Sequence, residues 1–436
     1  MPQSAEPGPY SPDDPALPVV TAVHHFLDSF VLPGPLLIAL SGGSDSTALF
    51  HALRHALSER EPHGFALRAA TVDHGLRSGS REEALAVAAL CARFGIPHRI
   101  LRWEGEKPAS GLQAAARAAR YRLLAGEAER TGAVAIVTGH TANDQRETIA
   151  MRARRGPGPG LAGMAEAVLA CERAWVLRPL LHLEREDLRA ALRRWGEEWL
   201  DDPSNGNMRF ERVRLRMAGE GEARGLSAGE RLRSSGSEAD WLSSAVRVSE
   251  GAVAFLSPDA ITEAAEAGLF RLSAAMGGRA YPPERDARSR MMAWLETGML
   301  GRRTLGGTVF DRRRDGLYLY REARGLLPAT LSPGEVLDGR YRLAGPEGAR
   351  LSIGWPTEPE SAVVRRLEAA GIPSGVARRA ALAVPVVAEE RQDGPCRLMR
   401  ILAGQADFVP GFDRPAAEAL RQLFDLPPLP PLPVRQ

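Results

Sequence analysis

The run Ser41-Gly42-Gly43-Ser44-Asp45-Ser46-Thr47 packs two glycines, four hydroxyls and a carboxylate into seven residues. It follows an all-apolar stretch, Leu36 to Leu40, and precedes helical apolar spacing from Ser46 to Glu59, so a buried strand hands over to a helix at this point. Glycines let the backbone turn with positive φ and approach an anion closely, while hydroxyls and the N–H groups of the new helix point at it. The residues read as a phosphate cradle. Asp45 on its own would repel an anion, which predicts a Mg²⁺ ion shared between its carboxylate and the phosphates. Read only as a turn, the same run would make Ser44 or Asp45 a helix cap. No lysine follows the glycines, so the loop is not of the G-x-x-x-x-G-K-S/T type.

Three more blocks can do chemistry: Asp73-His74-Gly75-Leu76-Arg77-Ser78, Ala114-Ala115-Ala116-Arg117-Ala118-Ala119-Arg120-Tyr121, and Gly139-His140-Thr141-Ala142-Asn143-Asp144-Gln145-Arg146-Glu147. The elements that must position them alternate. Strands are expected over 66–72, 98–103 and 133–138, and helices over 80–94 and 112–131, which is the rhythm of a doubly wound, mainly parallel α/β sheet. Ligands of such sheets bind beyond the carboxyl ends of the strands, so the first and third blocks converge on the loop. Asp144 and Glu147 share a face if helical, as do Arg117 and Arg120. The bland readings are a complemented helix dipole for the acids and a solvated surface for the arginines.

The 436 residues, 44% hydrophobic and 25% charged, are long enough for two or three domains and exclude a mainly disordered chain. Residues 1–18 read as a disordered leader, 19–221 as the α/β domain, 222–323 as a small mostly helical domain closed by a hairpin near 304–320, and 334–425 as a small α+β domain, with a Pro-rich extended tail. The net charge of +2 means that any polyanion site is a local patch. Lys107 is the only lysine, so nearly every cation is a guanidinium suited to gripping phosphate. Cys91, Cys171 and Cys396 form no pair in sequence, which argues for a reducing cytoplasm; no apolar run reaches the ~20 residues of a membrane span.

The loop resembles that of the PP-loop, or N-type ATP pyrophosphatase, superfamily. The blocks in this order, with Arg154-Arg155-Gly156, Gly160-Leu161-Ala162-Gly163-Met164, Arg178-Pro179-Leu180-Leu181, Asp202-Pro203-Ser204-Asn205 and Arg212, Arg214 and Arg216, resemble the tRNA(Ile)-lysidine synthetase family. The resemblance implies ATP and Mg²⁺ as cofactors, and L-lysine and a tRNA(Ile) with a CAU anticodon as substrates. Lysine would be joined to C2 of the wobble cytidine through an adenylated intermediate. It implies ATP contacts from Ser41 to Ser46 and from Asp73, His74 and His140, and Mg²⁺ on Asp45 and Asp144. Catalytic roles fall to Asp45, Asp144 and Glu147, and tRNA contacts to Arg117, Arg120, Arg154, Arg155, Arg212, Arg214 and Arg216. One position departs from the family: Asn143 stands where the first of two adjacent aspartates is usual, and asparagine supplies no negative charge.

Two other functions share features of this sequence. A tRNA 2-thiolation enzyme of the same superfamily would need cysteine pairs or an iron-sulfur cluster, which three scattered cysteines do not supply. A non-catalytic RNA-binding protein with a degenerate nucleotide fold is suggested only by Asn143.

Overall fold

The computed structural model describes residues 10–60, 64–77, 79–154, 159–200, 227–390 and 396–435. It divides into two compact units, one of residues 1–231 with 410–412 and 430–436, the other of 232–409 with 413–429.

In the first unit α1 (Leu17–Asp28) precedes β1 (Pro35–Ala39), α2 (Ser44–Ser58), β2 (Ala66–Asp73), α3 (Ser80–Arg93), β3 (His98–Arg102), α4 (Leu112–Thr131), β4 (Ala135–Val137), α5 (Ala142–Ala153), β5 (Ala167–Ala170), β6 (Ala174–Leu177) and α6 (Arg185–Trp195). The strands of this segment lie in the order β5-β6-β4-β1-β2-β3. All neighbours are parallel except β5 on β6. β1 is central, with Leu36 opposite Leu67 on one side and Ala135 on the other. Its Leu36, Leu37 and Ile38 are fully buried, as a strand covered on both faces requires. The chain moves one way from β1 to β2 and β3, then returns to the other side for β4, so the strand order reverses between β1 and β4. That reversal opens the crevice in which such sheets hold ligands.

The helices that carry the site are fixed on both sides of it. α1, α2 and α6 pack on one another, and α4 packs against β1 to β4. α4 ends at Gly132, whose φ of 64° is the left-handed conformation that glycine adopts at little cost. Both α5 and α6 start with reciprocal capping boxes, Thr141 with Asp144 and Glu184 with Asp187, so the first turn of each is pinned.

Structure begins before residue 18, contrary to the expected leader. Asp14 Oδ1 accepts from the Ala16 N–H (2.9 Å) just before α1, and its Oδ2 accepts from Arg194 (3.0 Å). The Trp195 indole donates to the Tyr10 hydroxyl (3.2 Å). The Pro-rich tail also belongs to this unit: Trp175 donates to the Pro430 carbonyl and Val31 to that of Pro433.

In the second unit, strands 246–249, 253–256, 301–305, 308–312 and 317–321 form an antiparallel sheet, the last two being the expected hairpin. Two further three-stranded sheets follow. Two cores span the expected division at 324–333, while a third, of Leu331, Leu337, Leu343, Leu351 and Ile353, does not. Leu402, Ala419, Leu420 and Phe424 pack with Leu242, Phe270, Met291 and Phe310, and Val376 and Ala377 pack with Tyr318 and Tyr320.

Buried histidines occupy α2. His51 is fully buried among Phe50, Phe94 and Trp195, and His55 stacks 5.2 Å from Trp195. Burial, then Arg54 and neighbouring cations, pushes the pKa of His51 down to about 3; burial and then Arg54 push that of His55 down to about 4. Both rings stay neutral in the folded protein at pH values where the unfolded chain binds protons. Their stability contribution is complete above pH 6.5 and is lost as pH falls toward 4 and 3. The unfolding free energy should therefore decline between pH 6.5 and 5, above the carboxylate range, by up to ~1.4 kcal/mol per pH unit for each histidine. Urea titrations across this window should show the decline, and His51→Leu should remove about half of it; an unchanged slope in the variant would contradict the assignment.

Candidate active site

The loop joins β1 to α2 at the crevice. Gly42 has φ of 85°, and a side chain there would meet Leu200 at 2.8 Å and Val87 at 2.9 Å. Its carbonyl accepts from the Leu200 N–H (2.9 Å) and the Thr47 hydroxyl (3.1 Å). Ser46 Oγ accepts from the Ser41 N–H (3.1 Å), lies 3.0 Å from Ser41 Oγ and donates to the Gly43 carbonyl (3.2 Å). Ser46 and Thr47 thus brace the loop from inside. Gly43 caps α2 with extended backbone and no side chain, and a Cβ there would meet nothing nearer than Ser41 Oγ at 3.7 Å. The first-turn N–H groups of α2 therefore lie beside open space, the arrangement that attracts phosphate. Across the crevice, Gly139 at the end of β4 comes so close to α2 that a Cβ would lie 2.5 Å from the Asp45 carbonyl oxygen.

Three elements converge on one guanidinium. Arg185, the first residue of α6, donates from Nε to Asp45 Oδ2 (2.9 Å) and from Nη2 to Asp144 Oδ1 (3.1 Å). Its backbone N–H donates to Asn143 Oδ1 (2.8 Å). Burial opposes its charge, but Asp45, Asp144 and Glu147 outweigh that and raise its pKa. The remaining carboxylate oxygens are also held: Asp45 Oδ1 accepts from Ser44 Oγ (2.8 Å), and Asp144 Oδ2 accepts from the Thr141 N–H (2.9 Å) and hydroxyl (3.1 Å). Glu147, one turn along α5 from Asp144, is buried. Asn143, which cannot carry charge, serves by orienting the start of α6.

The nucleotide-side expectations fare differently from one another. Asp73 Oδ1 accepts from the Gly75 N–H (2.9 Å) and Ser80 Oγ (2.8 Å). Burial favours its neutral form, but these two bonds and Arg102 keep its pKa below the usual carboxylate range. One oxygen of its carboxylate thus closes the β2–α3 turn, and the other lies 3.7 Å from Arg102 Nε. His74 stacks edge-on to Trp103, burial and then Arg120 lower its pKa, and its Nδ1 is buried without a partner among the described residues. A ligand hydrogen bond there would satisfy it. His140 Nδ1 lies 2.8 Å from Thr138 Oγ1 at the end of β4.

The arginines of α4 are not a plain solvated face. Arg117 and Arg120 lie over the buried Tyr121 ring at 5.0 and 5.8 Å. Burial alone would raise the Tyr121 phenol, but Arg117, Arg120 and the buried Arg178 bring it down to about 8. Three guanidiniums around one phenol make this side of the crevice electropositive. Arg154 is exposed at the end of α5. Arg155, Arg212, Arg214 and Arg216 lie outside the described residues.

Asp45 and Asp144, both oxygen donors, present two carboxylates to one point, and among the described residues no group of three or more His, Cys, Asp or Glu could hold a metal. That set suits Mg²⁺, which is usually bound through one or two carboxylates with substrate phosphates completing its shell.

The sequence profile of the PP-loop domain family matches residues 18–218. A tRNA(Ile)-lysidine synthase of Rhizobium meliloti is 40% identical over 95% of this chain and 97% of its own length. The chain belongs to the tRNA(Ile)-lysidine synthase family. A second synthase of that name, from Mesorhizobium japonicum, is 38% identical over 91% of this chain and 93% of its own.

Seen as a lysidine synthase family site, this pocket contains two residues that sequence reasoning passed over. Arg185 sits in Glu184-Arg185-Glu186-Asp187, which reads as an ordinary charged helix start; the signal was that α6 begins just past β6 and so at the same rim as α5. Gly139 heads the block at the end of the fourth strand, and nothing local in sequence marks its approach to α2. The two glycines give opposite expectations. Gly43→Ala, at φ of −68° and with free space, should keep the unfolding midpoint within a few degrees yet weaken ATP binding at least tenfold. Gly139→Ala should destabilise by ~1–3 kcal/mol through overpacking as well as weaken ATP. Thermal unfolding with fluorescent-nucleotide titration separates them; normal ATP affinity in Gly43→Ala would place the phosphates elsewhere.

Proposed function

We propose that this protein ligates L-lysine to C2 of the wobble cytidine of a tRNA(Ile) with a CAU anticodon, using ATP and releasing AMP and pyrophosphate. The observation that carries the reading is the phosphate loop facing the Asp45–Asp144 pair at the point where the sheet reverses, within a chain similar over nearly its whole length to lysidine synthases.

Cytosine O2 is a poor leaving group until it carries AMP, and α-phosphoryl transfer calls for positioning and charge neutralisation rather than a covalent protein intermediate. Gly42, Gly43 and the first turn of α2 seat the triphosphate, with Ser41 and Ser44 hydroxyls at its edge. His74, whose Nδ1 has no partner among the described residues, and His140 flank the nucleoside. Asp45 and Asp144 hold Mg²⁺, which when bound offsets phosphate charge and polarises the α-phosphoryl group. The lysine ε-amine must be neutral to attack C2. Asp144 and the buried Glu147 bind its ammonium form and accept the proton. Arg117, Arg120 and Arg154 contact the tRNA backbone near the splayed anticodon base, Arg155, Arg212, Arg214 and Arg216 extend that contact, and residues 222–436 grip the tRNA body.

Burial raises the Cys91 thiol to about 11, so Cys91 is not a ready nucleophile, and the three cysteines offer no pair in sequence for sulfur relay. Among the described residues no helix is long and apolar enough to cross a membrane, and a tRNA substrate places the protein in the cytoplasm.

Incubated with ATP, Mg²⁺, labelled lysine and the CAU tRNA, the protein should transfer label to the tRNA, and a tRNA lacking the wobble cytidine should remain unlabelled. Asp45→Ala should abolish pyrophosphate release with an unchanged far-UV spectrum; retained turnover in a folded variant would remove the metal role of Asp45.

A further inference from the structure

Arg185 lies where the metal reading needs a cation. Its guanidinium takes Asp45 Oδ2 and Asp144 Oδ1, while the other oxygen of each carboxylate is held by Ser44 or Thr141. Each carboxylate therefore turns one oxygen to the same guanidinium, and a divalent ion bound to both of those oxygens would have to take its place. Three carboxylates, Asp45, Asp144 and Glu147, act on this one arginine, while Asn143 beside them is neutral.

The anchoring of Arg185 decides which part can move. Its backbone N–H is fixed to Asn143, and the preceding Glu184 N–H is fixed to Asp187 Oδ2 (2.9 Å) in the capping box of α6. Helix α6 is thereby tied down at its first residue, and only the side chain is free to leave.

We propose that Arg185 is a positioning residue that acts as an exchangeable counter-cation. It holds Asp45 and Asp144 aligned, gives up their two outer oxygens to the divalent ion, and is released beside the phosphate loop, where it pairs with a phosphate oxygen of the nucleotide. Metal and nucleotide binding are then coupled: the metal frees a phosphate-binding group, and the phosphates receive the arginine that the metal displaces. Asn143 fits this scheme, since its side-chain oxygen holds the Arg185 backbone in place while the guanidinium leaves.

This inference rests on the reading of Asp45 and Asp144 as the metal pair, and one experiment separates the two. Mn²⁺ is titrated into the full-length protein without nucleotide, and free Mn²⁺ is followed by its electron paramagnetic resonance signal. Arg185→Gln, which removes the competitor, should bind Mn²⁺ at least tenfold more tightly than the wild type. Arg185→Lys, whose single ammonium cannot donate in parallel to both carboxylates, should show a smaller gain and serves in its place if the Gln variant does not fold. Adding ATP should tighten Mn²⁺ binding by a larger factor in the wild type than in either variant. Equal or weaker Mn²⁺ affinity in a folded Arg185 variant would overturn the exchange while leaving the metal pair intact. If Asp45→Asn leaves Mn²⁺ binding to Arg185→Gln unchanged, the metal pair itself is wrong and the exchange falls with it.

Discussion

The close approach of two backbones sets the geometry of everything else in the crevice. Gly139 at the end of β4 touches the first turn of α2 at Asp45, a contact that no side chain at 139 could make without displacing the helix. It fixes where the open N–H groups of α2 stand and where the Asp45 carboxylate points. Because α5 begins three residues after Gly139, the same contact brings Asp144 to the carboxylate of Asp45. The internal bonds of Ser46 and Thr47 then keep the loop in shape without using the amides that face the crevice.

Charge divides this crevice into two sides. Around Tyr121, Arg117, Arg120 and Arg178 are close enough to pull a buried phenol down to about 8, and Arg120 also acts on His74. On the other side Asp45, Asp144 and Glu147 act on Arg185. A site that must hold a polyanionic nucleotide, an RNA backbone and a cationic amine in one reaction needs both signs kept apart, since interleaved charges would neutralise one another before substrate arrived. Helix α4 supplies Arg117 and Arg120 to the one group, and α5 supplies Asp144 and Glu147 to the other.

Local signals made much of this legible. The apolar run at 36–40 followed by two glycines located β1 and the loop, and the alternation downstream gave the parallel sheet and the strand ends at Asp73 and Gly139. What was not legible depends on contacts distant in sequence. Arg185 meets Asp45 across 140 positions. Tyr10 and Asp14, in a stretch whose composition suggests disorder, are tied to Trp195 and Arg194. That Leu242 and Phe310 share a core with Leu420 and Phe424 was not legible either, since no periodicity reports such a pairing. Nor was it legible that one oxygen of Asp73 closes the turn into α3.

The most direct test of a phosphate-loop site that activates a base is to ask where AMP goes. The protein is given ATP labelled at the α-phosphate, Mg²⁺ and the CAU tRNA, with lysine withheld. Label should accumulate on the tRNA and leave as free AMP when lysine is added. Label that attaches to lysine instead, or that never reaches the tRNA, would contradict activation of the cytidine.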